Sequence, residues 1–420
     1  MAYALHEQSP IHPPAPFGAR ALAALAPGRS KLLINGRFLV QQATGVQRVA
    51  CELTSEIDDM LERGELIADV TLLVPPGPWV QKLSVKRIKI ETVGKYRGVL
   101  WEQFELPRYL GDNTLLCLGN SAPARTLSDR DRQVVVMIHD VSFLDHPRAY
   151  TLRYRMAHRW MLPLLLRKAR AILTVSETER DRLVQLAPGV AGRITVAPNG
   201  GWSARADPTI GVQPALSPGY ALYVGSLSHR KNFERTLAAA IRLAREDDLD
   251  FVFVGSTGGI LRKPGCSVPR DVAHRIHFLG QVNSGELLAQ IYRDARVLLF
   301  PSLYEACPLP PVEAAYFGCP VVVSNIPSMW ERCGQSVTYC NPWSLDSIVG
   351  AVRRVLSDPR ARSDAVVAAR AMAARHSWHA QAVIVCKAIF GECPVMPEQG
   401  ASDPVDPPCL APVKLADALG

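Results

Sequence analysis

Two glutamates, Glu305 and Glu313, stand eight positions apart in the stretch Phe300-Pro301-Ser302-Leu303-Tyr304-Glu305-Ala306-Cys307-Pro308-Leu309-Pro310-Pro311-Val312-Glu313-Ala314. An ionised carboxylate only accepts hydrogen bonds, so such a pair suits a ligand rich in hydroxyls. A second group of charges is Arg230-Lys231, inside Gly225-Ser226-Leu227-Ser228-His229-Arg230-Lys231-Asn232-Phe233. An arginine fork and a lysine point charge side by side suit a diphosphate. His139-Asp140 closes the apolar run over residues 133–138. Gly45 precedes a helical pattern, where bare backbone N–H groups can approach an anion. The same place also reads as a plain helix start with Thr44 as N-cap.

The elements around these residues put them on one kind of edge. Residues 297–300 form a short apolar run that predicts a buried parallel strand. A proline-rich loop and a helix over about 310–317 follow, stopped by Gly318, and the next strand begins at Pro320. Glu305 then lies in a loop at a carboxyl strand end, and Glu313 in the first turns of the following helix. Residues 220–224 and 251–254 predict strands ending at Gly225 and Gly255, and residues 31–34 and 133–138 predict strands ending before Gly45 and at His139. Open α/β sheets bind ligands in the crevice outside those ends. Gly255-Ser256-Thr257-Gly258-Gly259 is not a G-x-G-x-x-G fingerprint, so a nicotinamide site is not indicated.

Further expectations concern shape. Strands are expected at 70–74, 85–90, 114–118 and 171–175, with Trp101-Glu102-Gln103 opening a helix. The helical stretch 150–170 carries Arg153, Arg155, Arg159 and Trp160, and Pro163 should kink or split it. Ser176-Glu177-Thr178-Glu179 matches a capping box, with a structural role. Helices over about 344–356, 360–375 and 377–390 end the folded part.

The E-x7-E pattern, the Arg-Lys-Asn segment, His139-Asp140 and the Val196-Ala197-Pro198-Asn199-Gly200 closure resemble retaining glycosyltransferases of the GT-B fold, family 4 above all. The resemblance spans about residues 31–390 and is densest over 220–334. It implies an α/β chain of two Rossmann-like, doubly wound parallel-sheet domains facing a cleft. The boundaries expected are a flexible arm 1–29, an acceptor domain 30–205, a nucleotide-sugar domain 206–375, a crossover helix 376–391 and a loose tail 392–420.

Roles carried over by the resemblance follow. Arg230 and Lys231 would neutralise the departing diphosphate. Glu305 would bind sugar hydroxyls, Glu313 the nucleotide ribose, and His139 would lie over the sugar. Gly45, Gly225, Gly255, Cys307, Pro308 and Leu309 would complete the donor site. The family usually has glycine at Pro308, whose ring has no N–H to offer. A neighbouring amide, such as that of Leu309, then takes that contact, or the sugar is held differently. Cys307 stands where the family often has an aromatic. No cofactor or metal is expected, since two cations can stabilise the leaving group. A mannosyl donor on GDP is favoured, with rhamnose or glucose as alternatives. A saccharide or polyprenyl-linked acceptor in surface polysaccharide synthesis is implied. Competing readings are a GT-B sugar-nucleotide epimerase and a non-catalytic scaffold of an assembly complex.

Composition bounds the rest. The chain has 420 residues, enough for two or three domains of roughly 150 residues each. No apolar run reaches the ~20 residues of a membrane span, and the first residues give no expectation of a signal peptide. Ten cysteines without a C-x-x-C pair argue for a reducing, cytoplasmic setting. A net charge of +8 fits anionic substrates or the anionic inner face of a membrane. The basic and aromatic stretches near 82–97 and 150–170 suit lipid headgroups or a solvated face equally. No nucleic-acid-binding signature is present.

Overall fold

The computed structural model describes residues 31–42, 44–128, 133–203, 217–256 and 267–391. The expected arm 1–29 and tail 392–420, linker residues 204–216 and Thr257, Gly258 and Gly259 lie outside the described residues.

Short Val/Ile/Leu-rich runs form strands buried on both faces, as a parallel sheet covered by helices requires. In chain order the first half is β1 (Leu32–Asn35), α1 (Gly45–Arg63), β2 (Val70–Val74), β3 (Lys89–Thr92), α2 (Gly98–Leu100), β4 (Thr114–Cys117), α3 (Ala124–Ser128), β5 (Val134–Ile138), α4 (Ser142–Asp145), α5 (Leu152–Lys168), β6 (Ala171–Thr174), α6 (Glu177–Leu186) and β7 (Ile194–Val196). The strands pair in parallel in the order β3-β2-β1-β4-β5-β6-β7. The second half is β8 (Ala221–Val224), α7 (Phe233–Glu246), β9 (Phe251–Val254), β10 (Ile276–Gly280), α8 (Gly285–Asp294), β11 (Val297–Phe300), α9 (Pro310–Tyr316), β12 (Val321–Ser324), α10 (Pro327–Cys333), β13 (Thr338–Cys340), α11 (Leu345–Ser357) and α12 (Pro359–Ala374). Its strands are also parallel, ordered β10-β9-β8-β11-β12-β13. Strand order reverses direction between β1 and β4 in one sheet and between β8 and β11 in the other. These are two doubly wound, Rossmann-like halves.

The last helix, α13 (Trp378–Phe390), returns to the first half. Trp378, Ala382, Val385, Cys386 and Ile389 recur at helical spacing and are buried in the core beside α1 and β1. The Trp378 indole N–H donates to the Gly201 carbonyl at 3.1 Å. Gly200 lies so close to that ring that a Cβ there would overlap it.

Four local expectations need correction. Residues 85–88 are not strand; the edge strand begins at Lys89, because Asp58 of α1 captures the amides of Lys86, Arg87 and Ile88 at 2.7–2.8 Å. Trp101 does not open its helix. A turn starts at Gly98, and Trp101–Glu105 is a wider π turn with the Trp101 indole bonded to the Val93 carbonyl at 2.7 Å. Pro163 does not split α5, which runs unbroken. Met161, Leu162, Leu165 and Leu166 pin the helix to the core on both sides of it, and the carbonyl it leaves free belongs to exposed Arg159. The capping box is half made. Ser176 accepts from the Glu179 amide at 3.1 Å, but the Glu179 carboxyl turns into the cleft instead of back to the cap.

Candidate active site

Arg230 and Lys231 sit in the turn between β8 and α7, at the switch point of the second sheet. Asn232 makes that turn. It takes the left-handed conformation (φ 57°), and its side-chain amide donates to the carbonyls of Pro301 and Pro342 at 2.9 and 2.7 Å. This ties the basic turn to the loop after β11. The Leu303 amide returns a bond to the Arg230 carbonyl at 2.9 Å, and Arg230 donates to the Tyr304 carbonyl at 3.2 Å. Glu305 is thereby brought to Lys231, with Nζ and Oε1 2.6 Å apart, and Arg230 lies 3.9 Å from Oε2. Burial lowers the Lys231 pKa, opposed by Glu305. Burial works against charge on Arg230 too, yet Tyr150, Glu305 and Asp140 together hold its pKa above the ordinary value. Two cations are therefore gathered around one carboxylate that is 6% exposed.

His139 ends β5 on the opposing half. Its Nε2–H donates to the Leu118 carbonyl at 2.8 Å, which leaves Nδ1 as the acceptor, and its amide donates to Asn120 at 2.7 Å. Burial lowers its pKa, so the ring is neutral near pH 7. Asp140 accepts from the Ser142 amide at 3.0 Å and hydroxyl at 2.6 Å, forming a local turn. Its charge reaches Arg230, Lys231, Tyr150 and Glu179.

The remaining expected residues divide. Glu313 is 1% exposed, and both oxygens are engaged: Arg48 of α1 lies 2.5 Å from Oε1 and the Tyr292 hydroxyl donates to Oε2 at 2.9 Å. In this state a ribose reaches it only by displacing Arg48. Gly45 is exposed, and a Cβ there would meet nothing; Thr44 holds the N-cap position without a side-chain cap bond. Gly225 and Gly255 meet each other. Gly255 has φ 138°, and a Cβ on it would collide with the Gly225 carbonyl, so this glycine is required by the approach of two strand ends. Cys307 and Leu309 pack against the first half's core, and the Cys307 carbonyl accepts from Asn199 at 3.1 Å. Pro308 between them is buried.

Sequence reasoning missed Arg48, Glu179, Tyr292 and Tyr304. Arg48 was visible only as one helical arginine, three residues after Gly45. Glu179 was visible as a capping acid. It is fully buried; Oε2 accepts from the Val141 amide at 3.3 Å and Oε1 from the Tyr304 hydroxyl. Burial first, and then Asp140, push its pKa up to about 8.

Residues 43–200 match the family described as Glycosyltransferase Family 4, and residues 212–372 match Glycosyl transferases group 1. The chain is 31% identical over 265 residues to the O-antigen chain mannosyltransferase B of Escherichia coli, spanning 60% of this chain and 68% of that protein. This chain belongs to glycosyltransferase family 4. The family 4 chain is also 35% identical over 214 residues to a glycogen synthase of Mycobacterium tuberculosis, covering 49% of itself and 50% of that enzyme. It thus spans about half the length of that curated relative. Sucrose-phosphate synthase from Thermosynechococcus elongatus superposes with a TM-score of 0.62 at 20% identity, covering 85% of this chain and 97% of that one. That likeness establishes the GT-B fold.

Proposed function

We propose that this family 4 protein transfers a hexose from a nucleoside diphosphate sugar to a saccharide or polyprenyl-linked saccharide, with retention of configuration and without a metal. One observation carries the reading: Arg230, Lys231 and Glu305 meet at the switch point of the second sheet, with neutral His139 ending a strand of the first. The two cations would stabilise charge developing on the leaving diphosphate, and they supply what a divalent ion would otherwise supply. Glu305 would accept from sugar hydroxyls while Lys231 holds it in place. Uncharged His139 would sit over the sugar without repelling positive charge that develops at its anomeric carbon. Similarity to the Escherichia coli mannosyltransferase supports mannose over glucose, and GDP is the carrier assigned to it in this proposal.

The acceptor half carries a surface that suits an anionic membrane at the cytoplasmic face. Leu152, Met156 and Trp160 form an exposed stripe on α5 at four-residue spacing, interleaved with Arg153, Arg155 and Arg159. No described helix is long and apolar enough to cross a membrane, so this contact would be peripheral.

Thermal stability against GDP, UDP, dTDP and their sugars is the test. A ligand that binds only the folded state raises the midpoint by mass action. The expected result is a shift with GDP above the others, followed by a metal-independent, α-configured product from GDP-mannose. No shift with any nucleotide, or hydrolysis only in the presence of a divalent ion, overturns the reading.

A further inference from the structure

Among the described side chains that touch both halves of the cleft is one the proposed chemistry does not use. Glu179 projects from α6, at the third residue of that helix, and is fully buried. Its Oε2 accepts from the Val141 amide at 3.3 Å, so it holds the loop that begins with His139 and Asp140. Its Oε1 accepts from the hydroxyl of Tyr304, the residue before Glu305. The Tyr304 carbonyl in turn accepts from Arg230 at 3.2 Å. One carboxyl group therefore bears on the loop carrying His139 and on the loop carrying Glu305, which come from different sheets.

We propose that Glu179 is a positioning residue that bolts the His139 loop to the Glu305 loop across the cleft. This rests on the transferase reading only for what the bolt positions, not for the bolt itself.

The surroundings decide in which state the bolt is closed. From its own helix, Arg182 lies 3.8 Å from Oε1, but its guanidinium is drawn to Asp145 and lies over the Tyr304 ring, 4.8 Å from the centroid. Asp140 faces Glu179 from the end of β5 and repels its charge, and Arg230 attracts it from the second half. His146, following α4, meets the Tyr304 ring edge-on at 5.6 Å, and burial lowers its pKa. Burial and then Asp140 raise the Glu179 pKa to about 8, so near neutrality the group keeps its proton. A protonated carboxyl retains both contacts: Oε2 stays the carbonyl facing the Val141 amide, and the proton on Oε1 reverses the other bond, so that Oε1 donates to the Tyr304 oxygen where the ionised form accepts from it. Opening the cleft rehydrates the group and returns its pKa toward an ordinary glutamate's value. Since the closed-state pKa is the raised one, the closed state is favoured most at low pH. It loses that advantage progressively as pH rises from the open state's ordinary glutamate range to about 8, above which both states are ionised and no further loss follows. A glutamine offers the same acceptor and donor as the protonated acid, without the titration.

The experiment is amide hydrogen exchange, corrected for intrinsic rates, on nucleotide-free protein from pH 6 to 10. It follows Val141 and the loop 301–309 in the wild type, Glu179→Gln, Glu179→Ala and Tyr304→Phe. Transfer kinetics are run on the same samples. In the wild type, protection at both sites should fall as pH rises from 6 to 8, by up to about tenfold per pH unit, and level off above 8, with kcat/KM following it. Glu179→Gln should keep protection and rate level across the range. Glu179→Ala and Tyr304→Phe should lose loop protection at every pH, with thermal midpoints showing that they still fold. The proposal is overturned if Glu179→Gln follows the wild-type pH course, or if Tyr304→Phe protects both loops as the wild type does. A wild type that transfers no sugar yet shows the exchange pattern would sink the transferase reading and leave the bolt standing.

Discussion

At the scale of single residues, the site is a balance of charges held out of water. Lys231 touches Glu305 at 2.6 Å and is itself buried enough to have its pKa lowered. Removing it takes one preorganised cation from the proposed diphosphate site and leaves Glu305 with Arg230 at 3.9 Å. Lys231→Ala should therefore lower kcat by about 10²–10³-fold, the usual cost of losing one such group. Steady-state kinetics on protein with an unchanged circular dichroism spectrum checks it. If Lys231→Ala and Glu313→Ala both ran at the wild-type rate, the site assignment would fail. Arg48 makes a different point. It is partly exposed, but the Glu313 it meets is not. Arg48→Ala strands a buried carboxylate and should cost roughly 3 kcal/mol in urea unfolding. Adding Glu313→Gln should recover most of that loss, because the stranded charge is gone.

At the scale of elements, α13 carries the largest single stake. Trp378 fills the space over Gly200, and four more apolar side chains follow it into the first core. Trp378→Ala should cost about 3–5 kcal/mol by the usual measure for emptying an aromatic site, read as a lower denaturant midpoint. This helix was legible in the sequence, since its apolar spacing and its Ser377 cap are local signals. So were the strands that carry the site, because buried parallel strands are short continuous apolar runs. The strand at 85–90 was misplaced because the Asp58 carboxylate, 28 residues away from Lys86, decides where pairing begins. Pro163 misled because the rule it breaks concerns an isolated helix, and here the core on either side holds the axis. Arg230, Lys231 and Glu305 stood out by type, but only the fold shows them as one cluster. Glu179 stood out for the wrong reason, since its cap position is visible in sequence and its cross-cleft partner is not.

At the scale of the whole molecule, the two halves are joined by polar contacts that a ligand must live with. Arg332 of α10 donates to the Asn199 and Gly200 carbonyls, both at 2.6 Å, and so grips the chain where it leaves the first half. Next to it, Glu331 reaches the start of α6 and accepts from the Glu177 amide at 2.6 Å, the Thr178 amide at 3.0 Å and the Thr178 hydroxyl at 2.7 Å. A carboxylate on free N–H groups at a helix start is favoured by hydrogen bonding and by the helix dipole together. Here the helix and the acid come from opposite halves, so the cap stabilises closure and adds little to α6, which Ser176 already caps. Glu331→Ala should leave the thermal midpoint of the nucleotide-free protein within a degree or two. It should weaken closure by about 1 kcal/mol, the common value of one such cap, and raise the donor KM about fivefold if binding requires the closed cleft. The chemical step after closure should be untouched, so kcat at saturating donor should stay within twofold. Small-angle scattering across a nucleotide titration separates this from a defect in folding: the variant should need more nucleotide to reach the same compact radius. A KM equal to the wild type's would mean that the contact forms only after binding has been decided.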